Sequence, residues 1–395
     1  MAYMALRAWL YKLEGRARRI KMKVVIAIDS FKGSLTSFEA GEAVKKAILR
    51  RDDRAEVVVR PLADGGEGTV EAMSAGLGGE AVELSVRGPL AEPVLAKYCI
   101  VNGATAVIEM AAAAGLPLVP SEKRDPMNTT TYGVGELIRD AISRGCRSFI
   151  VGIGGSATND GGVGMLSALG FKFFDKDGNM IPEGAKGLEQ LDRISADGAL
   201  PELSECTFRV ACDVTNPLCG ENGCSAVYGP QKGATPETVK LMDAWLSDYA
   251  EAAKSVFPNA DPDYPGAGAA GGLGFAFMTF LGASLESGIK IILEETRLES
   301  YIGNADVVIT GEGRLDGQTV MGKAPIGVAR LAKKHGKKVI AFAGGVTEDA
   351  ERCNEHGIDA FFPIVRGITT LDEALNKENA LKNLEAAAYQ VFGLI

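Results

Sequence analysis

Five short segments of the chain combine glycine with hydroxyl-bearing, acidic or basic residues. Glycine lets the backbone turn tightly or approach a ligand closely, but a loop that only turns rarely needs charged side chains as well. We therefore treat these segments as candidate sites of chemistry. They are residues 29–37 (DSFKGSLTS), 63–69 (ADGGEGT), 152–162 (GIGGSATNDGG), 229–234 (GPQKGA) and 310–319 (TGEGRLDGQT).

Carboxylates in these segments, and in residues 212–218 (CDVTNPL), suit phosphoryl transfer. That reaction needs a divalent cation across the phosphates and a group that positions the attacking hydroxyl. A single acidic residue in a turn more often caps local N–H groups, but a set of them at predicted strand ends favours function for some. The candidates are Asp64, Glu67, Asp160, Asp213, Glu312 and Asp316.

Two lysines are well placed for phosphate oxygens. Lys32 follows the opening strand, at the edge where ligands bind in open α/β sheets, and its segment leads into a helix. Residues 317–323 (GQTVMGK) come close to a P-loop, although Ala324 stands where that motif needs a hydroxyl. Lys323 nevertheless precedes a predicted helix with Pro325 in its first turn, which favours phosphate binding.

One segment also imitates a dinucleotide-binding fingerprint. Residues 152–157 read G-x-G-x-x-A after a predicted strand, with Asp175 about twenty residues further on. An NAD-dependent oxidoreductase acting on a small hydroxy acid is therefore the alternative enzyme class, and a non-catalytic binding protein is a third. Against the oxidoreductase, Asp160 places a carboxylate where a pyrophosphate would meet the start of a helix.

Length and composition limit the other function classes. A chain of 395 residues exceeds the size of most single cores, so two domains are expected. The net charge of -9 argues against binding to nucleic acid or to an anionic membrane, and no apolar run approaches the roughly 18 residues of a membrane span. Seven cysteines without a C-x-x-C pair fit a reducing, cytoplasmic location. Whether the protein is a homodimer is left open.

The order of predicted elements indicates an α/β fold. Strands and helices alternate at both ends of the chain, which is typical of a parallel sheet covered by helices. The predicted strands there are residues 24–28, 56–60, 306–309, 338–341 and 360–364. Between them, residues 81–86, 94–101 and 106–109 read as strands without intervening helices, which favours a mixed sheet.

We therefore predict two domains with a cleft between them. A flavodoxin-like or Rossmann-like parallel-sheet lobe is built from both chain ends, residues 22–78 and 285–395, and a mixed α/β domain, residues 79–284, is inserted into it. Residues 1–21 are expected to be an N-terminal extension outside the fold, since Met22 immediately precedes the first strand.

Taken together, the motifs DSFKGS, ADGGEGT, GGSATNDGG, CDVTNPL, GPQKGA and TGEGRLDGQT resemble, in order and spacing, the type I glycerate kinases of bacteria. The resemblance runs from Met22 to near the C-terminus. It implies ATP- and Mg²⁺-dependent phosphorylation of D-glycerate to 2-phosphoglycerate, with 3-phosphoglycerate left open, by a two-domain α/β protein with a flavodoxin-like lobe. The extension before Met22 departs from the family.

The resemblance identifies positions rather than roles, so roles are assigned from charge. Arg314, Lys32 or Lys232 could supply the cation for the glycerate carboxylate, and Arg314 is favoured because a guanidinium clamps a carboxylate with two bonds. Asp64, Ser30 and Asn216 are further candidate substrate contacts. Catalytic candidates are Asp316 as base, Asp213 and Lys32, and the metal ligands would be Asp213 and Glu312. The residues expected to bind nucleotide or phosphate are Gly154, Gly155, Ser156, Thr158, Asn159, Lys232 and Lys323.

Overall fold

Two large β-sheets and a short hairpin organise the protein. The computed structural model describes residues 21–63, 65–66 and 68–395, so almost all of the predicted N-terminal extension lies outside the described residues. One sheet has five strands and the other six, and they include strands from every part of the described chain. The predicted α/β class is confirmed.

The five-stranded sheet is parallel throughout and runs in the order β13-β12-β11-β1-β2. Its strands come from both ends of the chain, as predicted. They are rich in valine and isoleucine that face helices on both sides, which is the usual composition of a doubly covered parallel sheet. Their bounds are Lys23–Ile26 (β1), Glu56–Val59 (β2), Val307–Leu315 (β11), Lys338–Val346 (β12) and Ala360–Pro363 (β13).

The six-stranded sheet is mixed and runs in the order β10-β9-β6-β5-β4-β3. Two antiparallel pairings at one end give way to parallel pairings of β5, β6, β9 and β10. Its strands are Glu80–Arg87 (β3), Pro93–Val101 (β4), Thr105–Glu109 (β5), Ser148–Gly152 (β6), Thr207–Ala211 (β9) and Ser284–Glu286 (β10), while Lys172–Phe174 (β7) and Arg193–Ser195 (β8) form the hairpin.

Helices cover both sheets. The first one begins with a capping box, in which Thr36 accepts from the N–H of Glu39 and the Glu39 carboxylate accepts from the N–H of Thr36. The helices are Ser37–Arg51 (α1), Thr69–Leu77 (α2), Ala111–Ala114 (α3), Tyr132–Ser143 (α4), Val163–Ala168 (α5), Cys224–Tyr228 (α6), Pro236–Val256 (α7), Ala269–Leu281 (α8), Gly288–Glu295 (α9), Leu298–Gly303 (α10), Ala324–Lys334 (α11), Arg352–Glu355 (α12), Leu371–Leu375 (α13) and Lys377–Val391 (α14).

Within the described ranges, no helix has both the length and the apolar character needed to cross a membrane.

The two sheets share an apolar cluster. Val25 and Val308 of the five-stranded sheet belong to the same buried cluster as Val107 and Ile150 of the six-stranded sheet. This packing fixes the carboxyl ends of both sheets relative to each other. The division into domains at residues 78 and 284 stays a prediction. Strand β10 extends two residues past the second predicted boundary, to Glu286, and still pairs with β9 of the predicted inserted domain.

Candidate active site

A cleft of about 640 Å³ lies where loops from the two sheets meet. Parallel strands place their carboxyl ends at one edge of a sheet, so the residues that follow β5, β6 and β9 converge there. The loops that follow β1 and β2 approach from the other sheet. The lining includes Lys32, Gly65, Gly66, Glu109, Gly154, Gly155, Ser156, Asp213, Tyr228, Lys232, Ala269 and Ala270.

Glycine allows these loops to approach closely. Gly152 ends β6, and a Cβ atom there would collide with the carbonyl oxygen of Gly65. Gly65 itself has a φ of +88°, in the left-handed region that favours glycine. Two of the glycine-rich segments are therefore needed to bring the two sheets together at the cleft.

The cleft contains a buried ammonium group. Lys232 is only 2% exposed, and its Nζ donates to Ser156 Oγ at 2.8 Å and to the Thr158 carbonyl oxygen at 2.6 Å. Neither partner is charged, and the described residues give Lys232 no ion pair. Burial lowers the pKa of Lys232 to about 8, and the nearby Cys224 and the Asp160 carboxylate oppose that shift. A buried cation whose hydrogen-bond partners are neutral, at the wall of a cleft, suits an anionic ligand.

Next to these residues, the loop after β6 continues into the core. Asp160 Oδ2 accepts from Thr131 N and Thr131 Oγ1, each at 2.8 Å, and from Gly164 N at 3.3 Å, while its Oδ1 accepts from Gly162 N at 3.1 Å. Burial raises the pKa of Asp160, and these hydrogen bonds oppose that rise. The carboxylate therefore ties the loop to the start of α4 and does not face the cleft.

The same burial changes the interpretation of two predicted nucleotide contacts. The side chains of Thr158 and Asn159 are fully buried, and Asn159 Nδ2 donates to Ser225 Oγ at 2.8 Å. These side chains support the loop from inside, which differs from the predicted contact with nucleotide. Of the residues predicted on this loop, Gly154, Gly155 and Ser156 line the cleft.

Two carboxylates line the same cleft as Lys232. Asp213 follows β9 and accepts from the N–H of Gly288, at the start of α9, at 3.2 Å. Glu109 ends β5 and accepts from the N–H of Val70, in the first turn of α2, at 2.8 Å. Sequence reasoning missed Glu109 as a site residue, although its position at the end of a predicted strand was a usable signal.

The end of β11 and the turn that follows it form a second charged cluster. Glu312 is nearly buried and accepts from Thr319 Oγ1 at 2.7 Å, and burial raises its pKa. Lys323 Nζ lies 3.8 Å from Glu312 Oε2 and 3.7 Å from Asp316 Oδ1. Arg314 is 68% exposed, with its Nε 3.8 Å from Asp316 Oδ2.

Asp316 has a clear local role in that cluster. Its Oδ1 accepts from Gln318 N at 2.9 Å and from Thr319 N at 3.2 Å, the pattern of an aspartate that closes a turn. Asp316, Arg314, Glu312 and Lys323 do not line the cleft that contains Lys232 and Asp213. The predicted site residues are thus divided between two places.

Three predicted substrate contacts remain to be placed. Ser30 follows β1, and its backbone N–H donates to Asp29 Oδ1 at 2.6 Å. Asn216 Oδ1 accepts from the hydroxyl of Tyr228 at 2.7 Å, so Asn216 supports a residue of the cleft wall. Asp64 lies outside the described residues.

The described residues do not form a complete metal cage. No group of three or more His, Cys, Asp or Glu side chains among them converges on one point. Of the two predicted ligands, Asp213 follows β9 of the six-stranded sheet and Glu312 lies in β11 of the five-stranded sheet. Mg²⁺ usually takes one or two carboxylates and completes its shell with substrate phosphates and water. The exposed carboxylate of Asp213 in the cleft fits that mode of binding.

Comparison with known proteins identifies the family. The family model described as the glycerate kinase family matches residues 24–395. The chain is 52% identical to a glycerate 2-kinase of Escherichia coli K12 over 89% of this chain and 93% of that protein. It is 49% identical to a glycerate kinase of Haemophilus influenzae over 94% of this chain and 98% of the relative.

A solved structure agrees with this result. The crystal structure of a protein assigned as glycerate kinase 2 from Salmonella typhimurium LT2 superposes with a TM-score of 0.87 at 47% identity, covering 95% of this chain and 98% of that one. Relatives of this identity and coverage are not compatible with the alternative oxidoreductase class. The chain belongs to the glycerate kinase family and is a phosphotransferase with an alcohol group as acceptor.

Proposed function

We propose that the protein phosphorylates D-glycerate with ATP and Mg²⁺, forming 2-phosphoglycerate and ADP. The observation that carries this proposal is that the buried ammonium of Lys232 and the carboxylates of Asp213 and Glu109 line one cleft. Glycerate is a small anion with two hydroxyl groups, so it needs one fixed cation and a nearby reacting centre. The name of the Escherichia coli relative, glycerate 2-kinase, supports the 2-position as the acceptor.

Lys232 is the best candidate for the carboxylate of glycerate. Its Nζ is held by Ser156 Oγ and the Thr158 carbonyl oxygen, so its position is fixed before the ligand arrives. An ammonium that is already desolvated interacts strongly with an anion. Arg314, the clamp favoured from sequence, is exposed near the end of β11 and does not line this cleft, and we assign it to the nucleotide phosphates instead.

Asp213 and Lys32 are placed to act on the transferred group. In the transition state of phosphoryl transfer, charge spreads over the phosphoryl oxygens, and catalysis comes mainly from positioning and electrostatic stabilisation. Lys32 reaches the cleft from the loop after β1 and would stabilise that charge. Asp213 would hold Mg²⁺, which neutralises phosphate charge when it is bound.

The proton of the attacking hydroxyl also needs an acceptor. Glu109 and Asp213 are the carboxylates of the described chain that line the cleft, so one of them is better placed than Asp316, which closes a turn elsewhere. The hydroxyl oxygen of glycerate forms the new bond to the γ-phosphorus, and ADP leaves with the electrons of the bond that breaks.

A coupled assay of ADP release tests the function. We expect release with D-glycerate only when ATP and Mg²⁺ are both present, and much less with L-glycerate or hydroxypyruvate. Phosphorus NMR of the product would distinguish 2-phosphoglycerate from 3-phosphoglycerate. Absence of ADP release with D-glycerate above the rate without substrate would contradict the proposal.

A further inference from the structure

A second pocket, of about 480 Å³, lies at the carboxyl edge of the five-stranded sheet. Loops that follow β1 and β13, the ends of β11 and β12, and helix α13 form its walls. Ligands bind at this edge in open parallel sheets. Of the residues given roles above, Arg314 and Lys32 lie on its wall.

The walls of this pocket are mainly apolar. Phe31 and Ile364 are buried and form its base. On the open side, Leu371 is 72% exposed and Leu375 is also exposed, although both are large apolar residues. Exposed leucines at the rim of a cavity with a buried aromatic floor are typical of a site for a flat, largely apolar ligand.

The pocket also contains an unsatisfied polar atom. Ser34 Oγ is buried and has no hydrogen-bond partner among the described residues. A buried hydroxyl without a hydrogen-bond partner lowers the free energy of unfolding. A bound ligand that supplies the partner would remove this cost. An apolar slot with one such hydroxyl resembles the surroundings of a heterocyclic base or its ribose.

Lys32 connects this pocket with the catalytic cleft, because it lines both. A ligand with its base in the pocket and its phosphates beside Lys32 would present its terminal phosphate to the cleft that contains Lys232. Arg314 pairs with Gly345 in the β11–β12 register and adds a second cation on the pocket wall.

From these observations we propose that this pocket binds the nucleoside part of the nucleoside triphosphate, an inference that rests on the proposed kinase function. If the nucleoside lies in this pocket, the glycine-rich loop after β6 contacts the phosphate groups of the nucleotide or glycerate, and not the base. The dinucleotide-like pattern of residues 152–157 would instead place a nucleotide on the loop after β6. That loop faces the cleft, and the polar side chains that follow it, at 158–160, point into the core.

Gly345 offers a direct test. A Cβ atom at Gly345 meets nothing within 4 Å, and its backbone is not in the left-handed region, so a leucine there fills the pocket without disturbing the fold. Gly303, at the end of α10 and remote from the pocket, provides the matched control, since a Cβ there makes only ordinary contacts with His335.

Isothermal titration calorimetry with ADP and with inorganic tripolyphosphate separates base from phosphate binding. We expect Gly345→Leu to weaken ADP binding by at least about tenfold and tripolyphosphate binding by less than about threefold, while Gly303→Leu leaves both unchanged. ADP binding within about twofold of wild type in folded Gly345→Leu would overturn the proposal.

Ser34→Ala provides a second, independent variant. Because the Ser34 hydroxyl has no partner in the described protein, its removal should leave the melting temperature unchanged or higher, yet weaken ADP binding about threefold to tenfold. Unchanged ADP binding by this variant would also count against the site. A wild-type protein that binds ADP through the pocket but releases no ADP with glycerate would refute the kinase function and leave the pocket intact.

Discussion

The glycine-rich loops after β6 and at the end of β11 look alike in sequence but differ in the folded protein. In the first, Asp160 is fully buried and accepts four hydrogen bonds. In the second, Asp316 closes a surface turn beside the exposed Arg314. Both aspartates therefore have structural explanations, although both sit in motifs that suggest catalysis.

The cations near these two loops differ in the same way. Lys232 is buried between neutral partners, whereas Arg314 is largely exposed and faces an aspartate. A buried cation whose hydrogen-bond partners are all neutral is costly unless a ligand supplies an opposite charge close to it. Burial and hydrogen-bond partners, more than residue type or glycine content, therefore distinguish the proposed substrate site from a solvated loop.

The largest expected effect is that of Lys232→Met. Methionine keeps the length and apolar character of the side chain but removes the charge. We expect kcat/KM for glycerate to fall by about 10²- to 10³-fold, because truncating one partner of a buried charged pair costs about 2–5 kcal/mol. Steady-state kinetics measure this, and Lys240→Met on the exposed face of α7 is the matched control. A loss below about threefold would remove Lys232 from the substrate site.

Asp213→Asn should come next. If Asp213 holds Mg²⁺, we expect kcat to fall by about 10²-fold and the Mg²⁺ concentration for half-maximal activity to rise, because a neutral amide binds Mg²⁺ more weakly. Asp248→Asn, at an exposed position of α7, controls for the loss of a surface charge. An unchanged Mg²⁺ dependence would assign Asp213 to a role other than metal binding.

The pH dependence gives a third test. The pKa of Lys232 lies near 8 in the folded protein and near 10.4 in an unfolded chain. As pH rises through about 8, folded Lys232 loses its charge, so kcat/KM for glycerate should fall by about tenfold per pH unit.

Stability should change in the other direction. Between these pKa values the unfolded chain binds more protons than the folded one, so the contribution of Lys232 to the free energy of unfolding rises with pH. Kinetics and chemical denaturation across this range measure the two effects. The Lys232→Met variant should show neither the fall in kcat/KM nor the rise in the free energy of unfolding. A wild-type kcat/KM that does not fall above pH 8 would contradict the proposed role of the Lys232 charge in binding glycerate.

Asp316→Asn should have the smallest effect. The sequence predicts a catalytic base here, for which the loss would be about 10²-fold or more in kcat. In the structure, Asp316 Oδ1 caps the N–H groups of Gln318 and Thr319, and asparagine retains that acceptor, so we expect kcat within about threefold of wild type. A loss of about 10²-fold without a change in nucleotide affinity would restore Asp316 as the base.

The sequence alone determined the general architecture and the family. Valine- and isoleucine-rich strands alternating with helices predicted the parallel sheet from both chain ends, and the strands predicted at 81–86, 94–101 and 106–109 correspond to β3, β4 and β5. These features are local, because strand and helix periods are read within a few residues. The ordered motifs also identified the glycerate kinase family, which the relatives confirm.

Only the tertiary structure decided which of the candidate residues meet. Lys232 and Ser156 are 76 positions apart in sequence and 2.8 Å apart in space, while Asp160, four residues after Ser156, points into the core. Glu109 lies at the cleft because β5 pairs with β6. The pocket proposed for the nucleoside exists because α13 approaches the loop after β1, which contains Ser34. Burial and hydrogen-bond partners depend on how distant segments pack, and a single sequence does not contain that information in any local pattern.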